Sequence, residues 1–354
     1  MARRPDPDQP LLFGDGSPDP SPPQPHSKPP RSRQGRATSA TTSLAPINQG
    51  VRALAAALSP LIRLGTSSWS FPGWRGLVWE SETSAAQLAR DGLRTYAKHP
   101  LFRTVGLDKT FYRPAPVEEF ARLREQVTDD FRFLVKAHAA VTTREKSAEP
   151  SNTAARFLDA PYAIDQVIEP MVQGLGPSAG PLLFQFPPMG LRTVAHAEAF
   201  IRRLGAFLGA LPAGPLYTVE VRDRLLLRPA LASMLSDCGV IYCYSVHPTM
   251  PPPKIQMHTV DPIMQRSIVC RWMLHGGLAY DAALDRYQPF DRLVDPDPNS
   301  LEHFARLCAL AIEHGKDAWV VINNKAEGCA PRSVERLAQV IASQSTHSAR
   351  DQRL

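Results

Sequence analysis

The stretch LYTVEVRD, Leu216–Asp223, alternates in polarity. Tyr217, Val219 and Val221 point to one side, and Thr218, Glu220 and Arg222 to the other, because successive strand residues face opposite ways. The apolar side suits packing under helices. The other side carries a carboxylate and a guanidinium on a strand that reads as buried, and charges leave water only with a partner or a task. Neighbouring strands should therefore supply matching polar groups, and the spacing of elements shows how many neighbours there are.

Working outward, strands are predicted at Arg63–Trp69, Thr104–Asp108, Phe131–Ala137, Pro181–Phe186, Val240–Val246, Ser267–Met273 and Ala318–Asn323. Helical periodicity falls between them at Ser84–Lys98, Pro116–Val127, Ala160–Leu175 (interrupted near Pro170), Ala195–Leu211, Pro229–Cys238, Ser300–His314 and Ser333–Ala342. Strand–helix alternation means parallel strands joined by crossovers. Eight such units in roughly 290 residues match the size of a barrel. The predicted fold class is α/β, a TIM-type (β/α) barrel with a disordered Pro-rich N-terminal tail. A doubly wound open sheet is the alternative, but neither G-x-G-x-x-G after the first strand nor G-x-x-x-x-G-K-[ST] is present.

Composition sets the domain limits. Twelve of the 35 prolines lie in residues 1–60, a stretch too polar to offset its chain entropy. The expected organisation is a disordered tail over 1–60, in which 47–58, INQGVRALAAAL, could form a short helix leading into the body, one barrel domain over 61–343 and a disordered C-terminal tail over 344–354. The net charge of +6 is shared by tail and body, which favours a mildly basic protein with at most modest nucleic-acid affinity. Five cysteines, none in a C-x-x-C pair, argue against structural zinc and a disulfide framework and fit a reducing cytoplasm. No apolar run has membrane-spanning length, and the N-terminal residues lack a signal-peptide core. Within the tail, Gln9-Pro10-Leu11-Leu12-Phe13 looks like the Q-x-x-L-F peptides that dock on bacterial sliding clamps, where Leu and Phe anchors fill a groove. Chance is the weightier explanation of so short a match.

Six motifs in order, GTSSW (65–69), TFY (110–112), FRFLVKA (131–137), LLFQFPP (182–188), VEVR (219–222) and NN (323–324), resemble the domain-of-unknown-function 72 family, also called YecE-like. The resemblance runs from about Leu64 to Ile341. It implies a TIM-type barrel and no particular reaction, since the family's biochemistry is not established. The chain departs from the family pattern at five positions. Gly106 stands where the family has a Glu in a V-E-x-N context, with Asp108 at the Asn, two residues along the same wall. Thr143, Asp223 and Lys325 stand where the family commonly has His.

A barrel gathers its functional groups at the C-terminal strand ends. Those ends carry Asp108, Lys136 with His138, Gln185, Glu220 with Arg222, His247, Arg271, and Asn323 with Asn324. Glu220 is the leading acid/base candidate, with a structural ion pair to Lys136 or Arg222 as the equal alternative. Lys136 suits either Schiff-base chemistry or, more simply, an anion contact or a salt bridge to Glu220 or Asp108. Arg222 and Arg271 suit an anion clamp. Gln185, Asn323 and Asn324 offer neutral donors and acceptors, and Trp69, Trp74 and Tyr112 offer stacking surfaces. His138, His247, Asp108 and Glu220 are of metal-ligating type but lack any supporting spacing, so no metal is expected and no cofactor is assigned. The expectation is a pocket for a small anionic polar ligand, such as a sugar phosphate or a nucleotide, processed by a hydrolase or isomerase. A clamp-tethered DNA-maintenance protein and a non-catalytic binding module are the alternatives.

Overall fold

The computed structural model describes residues 42–144 and 156–351. Eight parallel strands close into a ring in chain order: β1 (Ile62–Thr66), β2 (Thr104–Leu107), β3 (Arg132–Lys136), β4 (Ala179–Phe186), β5 (Tyr217–Val221), β6 (Ile241–Val246), β7 (Ile268–Trp272) and β8 (Ala318–Ile322). The ring closes where β1 pairs with β8 along its whole length, Ile62 against Ala318 through Thr66 against Ile322. Closure leaves no sheet edge and excludes the open doubly wound alternative.

The alternation read from β5 sorts the whole barrel. Tyr217, Val219 and Val221 join the large apolar layer beneath the helices, together with Leu182, Phe184, Phe186, Tyr242, Tyr244 and Trp272. Leu134, Leu183, Ile241, Cys243, Val269, Trp319 and Val321 form a separate cluster inside the ring. This interior plug is apolar, as the filled centre of such barrels requires. One side-chain layer further toward the C-terminal ends, the interior becomes polar.

Two expected boundaries shift. The structured body begins before Leu61. The Ala45 N–H donates to the Val78 carbonyl (3.0 Å) and the Glu80 N–H to that of Ser43 (3.0 Å). A helix over Gln49–Ala57, capped by Asn48 at the Val51 N–H (2.8 Å), buries Val51. Pro46 and Pro60 bracket this short helix, so proline counting placed it in the tail. At the other end the last helix runs Ala330–Asp351, past the expected stop, because residues 343–351 contain neither Gly nor Pro. The Gln9–Phe13 peptide lies outside the described residues.

Smaller differences have local causes. The helix expected over Ser84–Lys98 breaks at Gly92 into Ala85–Asp91 and Leu93–Tyr96. The interruption foreseen at Pro170 appears as a wide π-turn over Ile164–Ile168 just before it, which accommodates the missing proline N–H. The helix Tyr280–Tyr287 was not foreseen. It packs through Ala283 and Tyr287 into a small cluster of its own with Leu274 and Phe290.

Gly65 is required by close packing. A Cβ there would stand 1.9 Å from the Thr104 carbonyl oxygen, a contact only glycine avoids. Gly65→Ala is expected to lower the urea unfolding free energy by more than about 2 kcal/mol, since backbone has to move. Gly209→Ala, where added bulk meets nothing, should leave it unchanged or slightly higher. Equal midpoints for Gly65→Ala and the parent chain would contradict this account.

Candidate functional site at the C-terminal strand ends

Glu220 lies at the centre of the polar layer and is wholly buried. Its Oε1 accepts from Arg222 Nε at 2.8 Å and its Oε2 from Arg271 Nη1 at 2.7 Å. Arg271 also reaches Asp108 Oδ1 with Nη2, at 3.4 Å. Four of the strand-end residues picked from the sequence, on β5, β7 and just beyond β2, therefore form one continuous charge network. The Cys243 thiol lies 3.9 Å from Glu220 Oε2. Burial and then the neighbouring carboxylate push it well above its ordinary range, so it stays a neutral donor.

With both Glu220 oxygens held by guanidinium groups, its first role is to fix the two arginines. A buried pair broken on one side leaves an uncompensated charge. Arg222 and Arg271 are thus the two cations that hold Glu220.

Around the network several buried polar atoms meet no protein partner among the described residues: both side-chain polar atoms of Gln185, Ser245 Oγ, His247 Nε2, Arg271 Nε and Asp108 Oδ2. Gln185 is the β4 register partner of Glu220, and Ser245 the β6 partner of Arg271. Burial, then Arg222 and Arg271, push the His247 imidazole down to about 2, so the ring is neutral. The Thr249 N–H donates to Nδ1 (3.3 Å), which assigns the ring proton to Nε2. His247 thus presents an unpartnered N–H donor.

Two ammonium groups complete the layer. Lys136 Nζ lies 3.9 Å from the Phe111 ring centroid, and Lys325 Nζ 4.5 Å from that of Tyr280. Both side chains are buried. Burial pushes the Lys325 ammonium down to about 8, with Asp108 pulling the other way. Lys325 follows an Asx turn in which Asn323 Oδ1 accepts its backbone N–H (3.0 Å) while Asn323 Nδ2 donates to Ser67 Oγ (2.9 Å). The turn aims residue 325 back toward the ring. In the sequence this lysine stood out only as a departure from the family pattern. Its place beside Asp108 depends on the turn. Cys243 and Ser245 were equally overlooked, although they share the interior parity of Ile241.

A cavity of about 530 Å³ opens over β1 and β2, lined among others by Ser67, Trp69, Gly106, Asp108, Tyr112 and Glu119. Of the expected residues, Asp108, Trp69 and Tyr112 line it. Asp108 also bonds to Arg271, so it joins the cavity to the buried network. Trp69 spends its indole N–H on the Leu88 carbonyl (2.9 Å) and offers its face, while Tyr112 is 43% exposed. Glu119 at the rim is held by Lys109 and Arg113, each at 2.8 Å. Burial raises its carboxyl, but these two cations outweigh that and hold it below its usual range.

Three expected residues are occupied elsewhere. Asn324 Oδ1 accepts from Trp74 Nε1 (3.1 Å) and the Ala330 N–H (2.8 Å), which spends its acceptor on packing the last helix. Trp74 is fully buried and offers no stacking face. His138 pairs through Nδ1 with the Tyr162 hydroxyl (3.0 Å). At the family departures, Asp223 ties two loops together by accepting the Leu191 and Leu225 N–H groups (3.2 and 3.1 Å), and Thr143 ends a short helix, Ala139–Thr142. Among the described residues, no three His, Cys, Asp or Glu side chains gather as a metal-ligand set, and no helix is long and apolar enough to cross a membrane.

The family model described as "Protein of unknown function DUF72" matches residues 63–353. The chain belongs to the DUF72 family. Among curated relatives, the YecE protein of Escherichia coli is 28% identical over 162 residues, 46% of this chain and 48% of YecE. The match thus spans about half the length of the curated relatives. Among solved structures, a DUF72 protein from Thermotoga maritima aligns with TM-score 0.55 at 20% identity, covering 79% of this chain and 98% of that one. One from Enterococcus faecalis aligns with TM-score 0.54 at 17% identity, covering 79% and 95%. These likenesses establish the shared barrel and carry no residue roles.

Two outcomes follow for this DUF72 chain. Glu220→Gln strands two guanidinium groups and is expected to lower stability by about 3–5 kcal/mol in urea denaturation. An effect under about 1 kcal/mol would remove Glu220 from the centre of the network. For Lys325 the folded ammonium titrates near 8 against an ordinary 10.5. The unfolded chain therefore binds more protons in that window, and this group's contribution makes stability rise with pH between the two values. The pH–stability curve of Lys325→Met should lack that rise. Parallel curves for the two proteins would contradict it.

Proposed function

We propose that the chain binds a small anionic polar ligand at the C-terminal strand ends, in the cavity above β1 and β2, and acts on it by acid–base chemistry with Asp108 as the acid/base group. The carrying observation is the double position of Asp108: Oδ1 on Arg271, Oδ2 without a partner among the described residues, and the side chain on the cavity wall. A carboxylate held on one oxygen and open on the other can take or give a proton at a fixed point. The guanidinium behind it fixes the held oxygen in place. Trp69 and Tyr112 supply flat walls for a ring, and Ser67 on the cavity wall supplies a hydroxyl. Sugar phosphates and nucleotides are the ligand classes these groups suit, with hydrolysis or isomerisation as the reaction.

A non-catalytic binding module is the second reading. It is favoured by Glu220, which has both oxygens committed to arginines, and by Lys325 and Asp223 standing in place of family histidines.

The two readings part in one experiment. The full chain and Asp108→Asn are incubated with a panel of sugar phosphates and nucleoside monophosphates, with ligand binding followed by thermal shift and conversion by proton NMR. On the enzymatic reading, at least one panel member is converted, and Asp108→Asn lowers its rate about 10²-fold or more while binding persists. Equal rates would end the assignment of Asp108. Binding without conversion by the parent chain selects the binding module, and a panel without binders removes the ligand proposal.

A further inference from the structure

The cavity over β1 and β2 has two unlike ends. At the buried end stands Asp108, whose Oδ2 has no partner among the described residues. The serine hydroxyls nearby are already engaged: Ser67 Oγ accepts from Asn323 Nδ2 (2.9 Å), and Ser68 Oγ lies 3.3 Å from Ser70 Oγ. The rest of the wall is largely apolar, with the Trp69 and Tyr112 rings, Ala89, and Gly106, which adds no side chain. At the exposed end Lys109 and Arg113 share the one carboxylate of Glu119. That rim therefore carries two cations for one anion, and both cations keep N–H donors that Glu119 does not use.

The two ends select opposite chemistry. A phosphate beside Asp108 would meet a carboxylate, and like charges so close repel. At the rim it would meet Lys109 and Arg113. Asp108 Oδ2 is an acceptor, so the inner part of a ligand has to donate. A sugar ring carries hydroxyls all round its edge, each needing a partner once buried, and the apolar wall supplies few. A heterocyclic base has apolar faces that stack on aromatic rings and keeps its N–H groups at the edge. Resting on the ligand reading above, we infer that the cavity takes a nucleoside monophosphate base first: the base against Trp69 and Tyr112 with its N–H edge on Asp108, the phosphate at the rim on Lys109 and Arg113. The cavity volume of about 530 Å³ lies within the range of small-molecule sites. The Lys109 and Arg113 side chains are 37% and 64% exposed, so salt screens the phosphate contact, whereas stacking of the base persists.

Calorimetric titration of the full chain tests the inference, with the common ribonucleosides, their 5′-monophosphates and ribose 5-phosphate as probes. At low salt one or more monophosphates should bind, at least about fivefold more tightly than the matching nucleoside and about tenfold or more above ribose 5-phosphate. The margin over the nucleoside should shrink at about 1 M salt. Tyr112→Leu, at an exposed ring, should weaken nucleoside and monophosphate alike, by about fivefold or more. Lys109→Gln should weaken the monophosphate alone, and both variants should keep the parent's circular dichroism. Ribose 5-phosphate binding as tightly as every monophosphate overturns the base while leaving the anionic-ligand reading intact, and this comparison needs the parent chain alone. Unchanged affinities in Tyr112→Leu also overturn the stacked base. A monophosphate no tighter than its nucleoside at low salt, or a Lys109→Gln loss shared by both, overturns the phosphate at the rim. Binding of none of the probes overturns the inference and the anionic-ligand reading together.

Discussion

A carboxylate clasped by two guanidinium groups inside a closed barrel constrains the rest of this molecule. Glu220 cannot be buried without Arg222 and Arg271, and Arg271 draws in Asp108 from across the ring. Interior positions of β5 and β7 and the turn after β2 are therefore fixed relative to one another by charge, above a plug of apolar side chains that fixes them by volume. The two mechanisms differ in kind. Apolar packing tolerates exchange of one side chain for another of similar size. A buried ion network tolerates almost none, because each member holds another's charge.

This division explains how the fold could be read from sequence. Eight stretches of period-two or continuous apolar character, separated by helical spacing, specify a parallel barrel almost without reference to side-chain identity. The exterior set of β5 was legible in Tyr217, Val219 and Val221 because each packs against a helix layer whatever its exact shape. The polar partners Asp108, Glu220, Arg222 and Arg271 were legible because charges on buried strands must meet. What could not be read was which partner each would choose. Glu220 had Lys136 and Arg222 as candidates; it takes Arg222, and the barrel's stagger adds Arg271, 51 positions along the chain.

The residues misjudged share a physical cause. Asn324 looked like a site residue because it ends a strand, yet its acceptor is claimed by Trp74, 250 positions earlier, a contact with no local signature. Lys325 lies beyond the strand, and its burial depends on the preceding Asx turn. The segment 42–60 was assigned to the tail on proline content, although three residues of it pair with 78–80 and a nine-residue helix buries Val51. Composition reports the average behaviour of a window and misses a short segment whose few apolar side chains find a ready groove.

The seam between β1 and β8 has a temporal meaning as well. Asn323 bonds Ser67, Asn324 bonds Trp74, and every residue of β1 registers against β8. Ser67 on the cavity wall thus gains its Asn323 partner only 256 positions later. During synthesis on a ribosome the early strands carry Asp108 and Lys136 with no roof and no closing partner. The apolar plug also lacks Trp319 and Val321 until β8 arrives. The site is a property of the finished ring, acquired at one late step, and a nascent chain short of residue 322 holds the chemical groups without the place in which they act.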